Sequence, residues 1–268
     1  ELELKGRLSI PVYPYLVLSM TGRQHYIPRF YLRNFAEGDS KAFWQMEKPF
    51  KISKVNPDVT CWKRGIYGEE ADKKLQEIED KTSRIIATIV NGGMDEINTD
   101  DEGRIMELIW SLYIRSMEWG DIRDDEQAKK PIPGPTEDDM RAIRHDWLVE
   151  HPNLMSPFPK DKLGDYKLFY FENTSQYEFC TSDCPIYRPI IDKEITLDTF
   201  LQNGAGLAFY LPISPKKAIM AIPIDRVKKE PWSLLSKVTQ TDNEDFAGLL
   251  NLHICFNAEK KVFARRES

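Results

Sequence analysis

Cysteine is scarce, with four in 268 residues, and those four are scattered. That excludes a disulfide-scaffold protein. The 14 glycines and 17 prolines follow no period, which excludes a collagen-like chain. No stretch reaches the about 18–20 consecutive apolar residues that a membrane-spanning helix needs. The best candidate, Ile10 to Met20, is interrupted by Pro11 and Pro14. Excess positive charge is missing as well: 37 basic against 43 acidic side chains give a net charge of −6. This excludes a globally basic nucleic-acid coat but leaves room for a local basic groove. The start, Glu1-Leu2-Glu3-Leu4, lacks the basic opening of a signal peptide. Together with scattered thiols, these features predict a cytoplasmic protein with no membrane segment. Aromatic mass, by contrast, is plentiful: 6 Trp, 11 Tyr and 13 Phe supply large units for a core and argue against disorder.

Residues 1–19 are apolar, bear prolines and lack a helical period, so they read as a leader or an appended extension, with a natural start at Met20. Residues 20–268 then form a single α+β domain. Pro28 is placed to open a short helix in which Arg29 and Arg33 share one face and Leu32 and Phe35 turn inward. Residues 41–67 suggest short strands or irregular structure. Leu75, Ile78, Thr82, Ile85 and Ile89 mark an amphipathic helix over 69–90, stopped by Asn91-Gly92-Gly93. Thr99 and Glu102 form a capping-box pattern for a second helix reaching about Trp119. A stiff connector with Pro131, Pro133 and Pro135 leads to a third helix, from Thr136 to near His151.

Beyond residue 164 the texture turns to strands: Tyr166–Phe171, Tyr177–Cys180, Gly206–Ile213 and Ala218–Ile222. A late helix, Asp242 to Leu250, with Asn251 as its C-cap, precedes strands at His253–Phe256 and Lys261–Ala264. The expected fold class is α+β. A helical N-terminal half (helices over about 69–151) packs on a mostly antiparallel sheet from the C-terminal half (about 164–268).

No phosphate loop, HExxH or GxSxG motif is present. Cys180, Cys184, His253 and Cys255 offer four soft ligands for zinc, but their spacing fits no common knuckle, and a buried cysteine in a strand is ordinary. From Arg23 to Arg33 there are three arginines, His25 and no acid. Forked guanidinium donors suit phosphate, and an imidazole suits proton transfer. The plainer reading pairs these arginines with carboxylates and gives His25 a loop-capping role. Glu79 sits at the edge of a buried stripe, where it reaches either a cleft, a buried arginine or water. Arg115, among apolar neighbours, suggests a buried partner of Glu79 or Asp183. Thr181-Ser182-Asp183-Cys184-Pro185 follows a strand pattern, so Asp183 either serves a site as base or metal ligand or closes a turn.

These residues carry a resemblance. His25-Tyr26-Ile27-Pro28 through Leu32-Arg33-Asn34-Phe35, then Ile78-Glu79-Asp80, Arg115, the Ser182-Asp183-Cys184-Pro185 element and Pro212-Ile213-Ser214-Pro215 resemble, in order, domain of unknown function family 4238. The likeness runs from about Gln24 to the C-terminus and departs at Cys184, where the family pattern tends to Asn. The resemblance implies a bacterial protein, with some relatives acting as single-gene defence elements. It marks His25, Arg29, Arg33, Glu79, Arg115 and Asp183 as the polar set. The resulting expectation is an anti-phage effector acting on a phosphate-bearing substrate, as a nuclease or nucleotide-directed hydrolase. His25, Glu79 and Asp183 would be catalytic, and Arg29, Arg33, Arg115 and Ser182 would bind substrate. A divalent ion at Glu79 and Asp183 is a further expectation, and nucleic acid or nucleotide is the expected partner. The alternatives are a non-catalytic sensor of a phage or partner protein, and a toxin-like domain of a larger system.

Overall fold

A computed structural model describes residues 23–38, 41–48, 50–64, 69–115, 165–187, 208–227 and 236–266. The leader over 1–19, the proline connector and the third helix expected from Thr136 lie outside these residues.

The central layer is a four-stranded sheet built from β5 (Tyr166–Asn173), β7 (Phe209–Ser214), β8 (Lys217–Pro223) and β9 (Val238–Thr241), in the order β7-β8-β5-β9. Every residue of β7 and β8 is buried, as expected of strands covered on both faces. Alternation sorts their side chains. Leu168, Tyr170, Leu211, Ile219 and Ala221 join one core with the helices α2 (Glu69–Val90) and α3 (Thr99–Arg115). Phe169, Phe171, Tyr210, Met220 and Ile222 join a second core with Ala247, Leu250 and Ile254 of a late helix, Glu244–Asn257. The sheet is thus the middle of three layers. A short helix, α4 (Ile224–Val227), follows β8, so the late helix is α5.

The α2–α3 pair forms as its sequence dictates. Leu75, Thr82, Ile85 and Ile89 are buried on one side, facing Ile105, Leu108, Ile109 and Leu112 of α3. Gly92 takes a φ of +107°, a conformation few other residues tolerate, and ends α2. The reciprocal cap of α3 sits one position earlier than its sequence suggests. Asp101 N–H donates to Asn98 Oδ1 at 3.0 Å, and Asn98 N–H donates to Asp101 Oδ2 at 3.3 Å.

The expected split into a helical first half and a sheet-forming second half is not what the chain adopts. Four strands lie within residues 23–64: β1 (Arg23–His25), β2 (Phe43–Glu47), β3 (Lys51–Val55) and β4 (Trp62–Arg64). β1 pairs with β4, while β2 and β3 enter a second four-stranded sheet, β3-β2-β10-β6, with β10 (Lys261–Ala264) and β6 (Thr181–Ser182). Phe43 and Gln45 are buried, whereas Trp44 and Met46 are half-buried. This two-residue alternation is the mark of a strand with unequal faces. The C-terminal strand therefore closes against the N-terminal hairpin.

Two other local expectations change. Tyr177–Cys180 is not a strand, because its backbone groups bond elsewhere. Asn251 accepts from Cys180 N–H at 2.9 Å and donates to the Glu178 carbonyl at 2.8 Å, and Phe179 N–H donates to the Pro215 carbonyl. His253–Phe256 is helical, since α5 continues to Asn257, and Asn251 is a mid-helix clamp rather than a cap. A short apolar run alone does not separate helix from strand.

Candidate active site

A cleft of about 370 Å³ opens where β1 and α1 (Arg29–Arg33) meet α2 and the end of α3. Five of the residues singled out by sequence line it: His25, Arg29, Arg33, Glu79 and Arg115. From α2 come Asp72, Leu75, Gln76, Glu79, Asp80 and Ser83, whose spacing of three and four places them on one stripe beside the buried one. Arg23, Gln24 and Phe30 complete the lining.

His25 is placed by β1 pairing, with His25 opposite Trp62 and Arg23 opposite Arg64. The next residue continues the tie through Tyr26 N–H to the Cys61 carbonyl. The imidazole bonds to the backbone of Asp58. Nε2 is shielded from solvent and has no partner among the described residues, so Nδ1 makes that bond. Burial, followed by the charges of Arg29 and Arg23, holds the imidazole below its ordinary value of 6.5, against the opposing pull of the Asp58 backbone and carboxylate. The net effect favours the uncharged imidazole. With its Nδ1–H donated to a carbonyl, its remaining acceptor is Nε2, which its neighbours close off from solvent. To act as a general base, that nitrogen has to be opened to the cleft by an incoming ligand.

The arginines divide into two kinds. Arg115 is buried and fully engaged. Its NH1 donates to Glu79 Oε1 at 2.7 Å, its Nε to the Ser111 carbonyl at 3.2 Å, and its NH2 to Ser111 Oγ at 3.2 Å. Arg33 forks onto both oxygens of Asp58 at 2.9 and 3.2 Å. Arg23 is exposed and lies over the Trp62 ring, 4.4 Å from its centroid. Arg29 is exposed and has no ion pair among the described residues. Arg23 and Arg29 are thus the cations with capacity for an incoming anion, and Arg115 with Glu79 forms part of the wall.

The sequence model of a family described as a protein of unknown function, DUF4238, matches residues 23–268, nearly the whole chain. The chain belongs to the DUF4238 family. No curated protein and no solved structure matches it.

In this DUF4238 chain the remaining two sequence candidates lie away from the cleft lining. Asp183 is buried, and its carboxylate accepts three backbone N–H groups: Glu259 at 3.0 Å, Lys260 at 2.9 Å and Lys261 at 3.0 Å. It fastens the turn that leads from α5 into β10. Burial outweighs these amides and raises its pKa above the ordinary 3.8. Ser182 is buried in β6, opposite Val262, and its Oγ accepts from Cys184 N–H at 3.1 Å. Asp183, expected to be catalytic, and Ser182, expected to bind substrate, are thus both buried and held to backbone amides.

The divalent ion expected at Glu79 and Asp183 lacks a shared donor set, since one carboxylate holds Arg115 and the other holds three amides. The zinc quartet does not assemble either. His253 stacks flat on Tyr187, with 4.2 Å between ring centroids, and the described residues hold no cluster of three metal-ligating side chains.

Sequence reading missed Asp58 because its decisive atom is a main-chain carbonyl, which no side-chain pattern reveals. The turn that presents it had a signal in Asn56-Pro57, where Asn56 Oδ1 accepts from Asp58 N–H at 2.8 Å.

Proposed function

We propose that the cleft binds a phosphate-bearing substrate, a nucleic acid or nucleotide, and that His25 acts there as a general base in phosphoester hydrolysis or transfer. One observation carries the reading: His25, whose shielded Nε2 has no partner among the described residues, lines a cleft together with the exposed cations Arg23 and Arg29. Once substrate entry opens Nε2 to the cleft, the neutral imidazole takes a proton from an attacking hydroxyl or water. The guanidinium groups hold the phosphoryl oxygens as charge builds on them. Phe30, half-buried in the lining, offers a face for a base. The volume lies in the range of small-ligand clefts.

We place this activity in the cytoplasm, in an anti-phage setting. No described helix is long and apolar enough to cross a membrane, and no disulfide joins the four cysteines. The cytoplasmic assignment draws on those unlinked thiols. The defence setting draws only on the family resemblance.

A second reading, a non-catalytic module that senses an anionic ligand or a protein partner, is favoured by one feature. Glu79 is tied to Arg115, so no carboxylate of the sequence-derived set orients His25. Expression of wild type and His25→Ala in cells, followed by profiling of RNA, DNA and nucleotide pools, separates the two. A pool that is depleted by wild type and spared by the folded variant supports the hydrolase. Unchanged pools in both, with the cellular phenotype retained by the variant, support the sensor.

A further inference from the structure

A second cleft, of about 360 Å³, opens on residues of β2, β3 and β10. Trp44, Met46, Tyr177 and Val262 are among its walls, with Cys180 and Cys255 also in the lining. These two cysteines are 75 positions apart in the chain (255 − 180), yet both line this cleft and Cys255 packs against the apolar cluster that holds Cys180. Asn251 explains the meeting. Its side chain clamps the backbone of Glu178 and Cys180 onto α5, and Cys255 lies one helical turn further along the same face.

The pair is unequal. Cys180 is buried, and its interaction with Cys255, followed by burial, raises its pKa. Cys255 is half-buried. The interaction with Cys180, aided by the Lys48 charge, lowers its pKa and outweighs the effect of burial. Lys48 is fixed there by donating to the Ala258 carbonyl at the end of α5. The other two cysteines, Cys61 and Cys184, are buried and line neither cleft.

We propose that Cys180 and Cys255 form a redox-active dithiol whose co-substrate is a hydroperoxide entering the second cleft, with Cys255 attacking and Cys180 resolving. The Cys255 thiolate attacks the terminal oxygen of the hydroperoxide. The O–O bond breaks, and the leaving alkoxide takes up the proton that the thiol had released, becoming the alcohol. Cys255 is now a sulfenic acid. The Cys180 sulfur then attacks the Cys255 sulfur, the S–O bond breaks, and hydroxide departs as water with the Cys180 proton. Two thiols and one hydroperoxide thus give one disulfide, one alcohol and one water. The two electrons lost by the sulfurs reduce the O–O bond. Trp44, Met46, Ile52 and Val262 give the cleft apolar surface and Gln45, Gln176, Glu178, Arg265 and Arg266 give it polar surface, a mixture that suits an organic hydroperoxide with a polar end.

The test uses the full reduced chain and one equivalent of tert-butyl hydroperoxide, followed by non-reducing peptide mapping. The expected product is a linked peptide joining Cys180 to Cys255, with a mass loss of about 2 Da for the two hydrogens removed. It should form about tenfold faster than any modification of Cys61 or Cys184, since reactivity follows thiolate character and access. In Cys180→Ser the resolving thiol is gone, so Cys255 should accumulate as a sulfenic acid trapped by dimedone. Oxidation distributed evenly over the four thiols would overturn the proposal. So would a folded Cys180→Ser protein that yields no dimedone adduct at Cys255. Because neither cysteine lines the arginine cleft, the outcome is independent of the phosphoester reading.

Discussion

Replacing Asp183 with alanine tests whether this residue belongs to the chemistry or to the scaffold. Its carboxylate accepts the amides of Glu259, Lys260 and Lys261, all at about 3 Å, just where α5 hands the chain to β10. β10 is the strand that joins β2 on one side and β6 on the other, so those amides sit at the seam of the second sheet. Burial of the carboxylate outweighs its hydrogen bonds. The interaction as a whole is therefore no large net stabiliser, and the cost of removal comes from what is left behind. Each orphaned, shielded N–H costs about 1–3 kcal/mol. Water entering the vacated space recovers part of that, leaving a loss of about 3–5 kcal/mol. For a chain of this length each kcal/mol moves the melting temperature by about 2–4 °C, so the shift is on the order of 10 °C. Asp183→Asn keeps one acceptor oxygen and should lose roughly half as much. Thermal and urea unfolding of the three proteins, beside a phosphoester turnover assay, give the reading. Losses of stability in that order, with turnover per folded molecule retained, support the scaffold role. An Asp183→Ala protein that melts within about 2 °C of wild type but has lost turnover would refute it.

Glu79→Gln leaves the Arg115 guanidinium buried without its counter-charge. Breaking a buried pair costs about 3–5 kcal/mol. Glu79 is one-quarter exposed and Ser111 still engages Arg115, which brings the expected loss to about 2 kcal/mol by urea unfolding. Arg29→Ala should leave stability unchanged and weaken binding of a phosphate-bearing ligand roughly tenfold to a hundredfold by calorimetry, as befits one lost charge-assisted contact. His25 also makes stability depend on pH. Its folded pKa lies below 6.5, so the unfolded chain takes up the proton first as pH falls. The contribution of the neutral imidazole is full above 6.5 and is lost as pH drops from there through the lower folded value. Urea melts at neutral and mildly acidic pH should show this decline in wild type and a smaller one in His25→Gln.

Much of the helical framework was legible because periodicity reports it directly. The 69–90 helix and the inward face of α3 follow from apolar spacing, and the structure buries Ile105, Leu108, Ile109 and Leu112 completely. The N-terminal strands were harder to read. Only five residues long, β2 carries too short an alternation to fix its place, which pairing with both β3 and the distant β10 decides. His253–Phe256 was misread because its apolar content fits strand and helix alike, and helix context decides it. In the site, side chains that gather on one surface were recoverable from local arginine density and an edge carboxylate. Asp183 was not, because a carboxylate bound to backbone amides and a catalytic carboxylate look the same in sequence. The oxygen that orients His25 belongs to a peptide group, which every residue carries.

The central claim is that a neutral imidazole does chemistry beside arginines on a phosphate ester. The most direct measurement incubates purified wild type and His25→Gln with single-stranded RNA, single-stranded DNA and a nucleoside triphosphate mixture in the presence of EDTA, and follows products by mass spectrometry. Consumption of one of these by wild type, its loss in a His25→Gln protein of unchanged melting temperature, and partial recovery with added imidazole are the predicted results. Equal turnover by the two proteins, or no phosphate ester bound or consumed by either, would rule out His25 as the base.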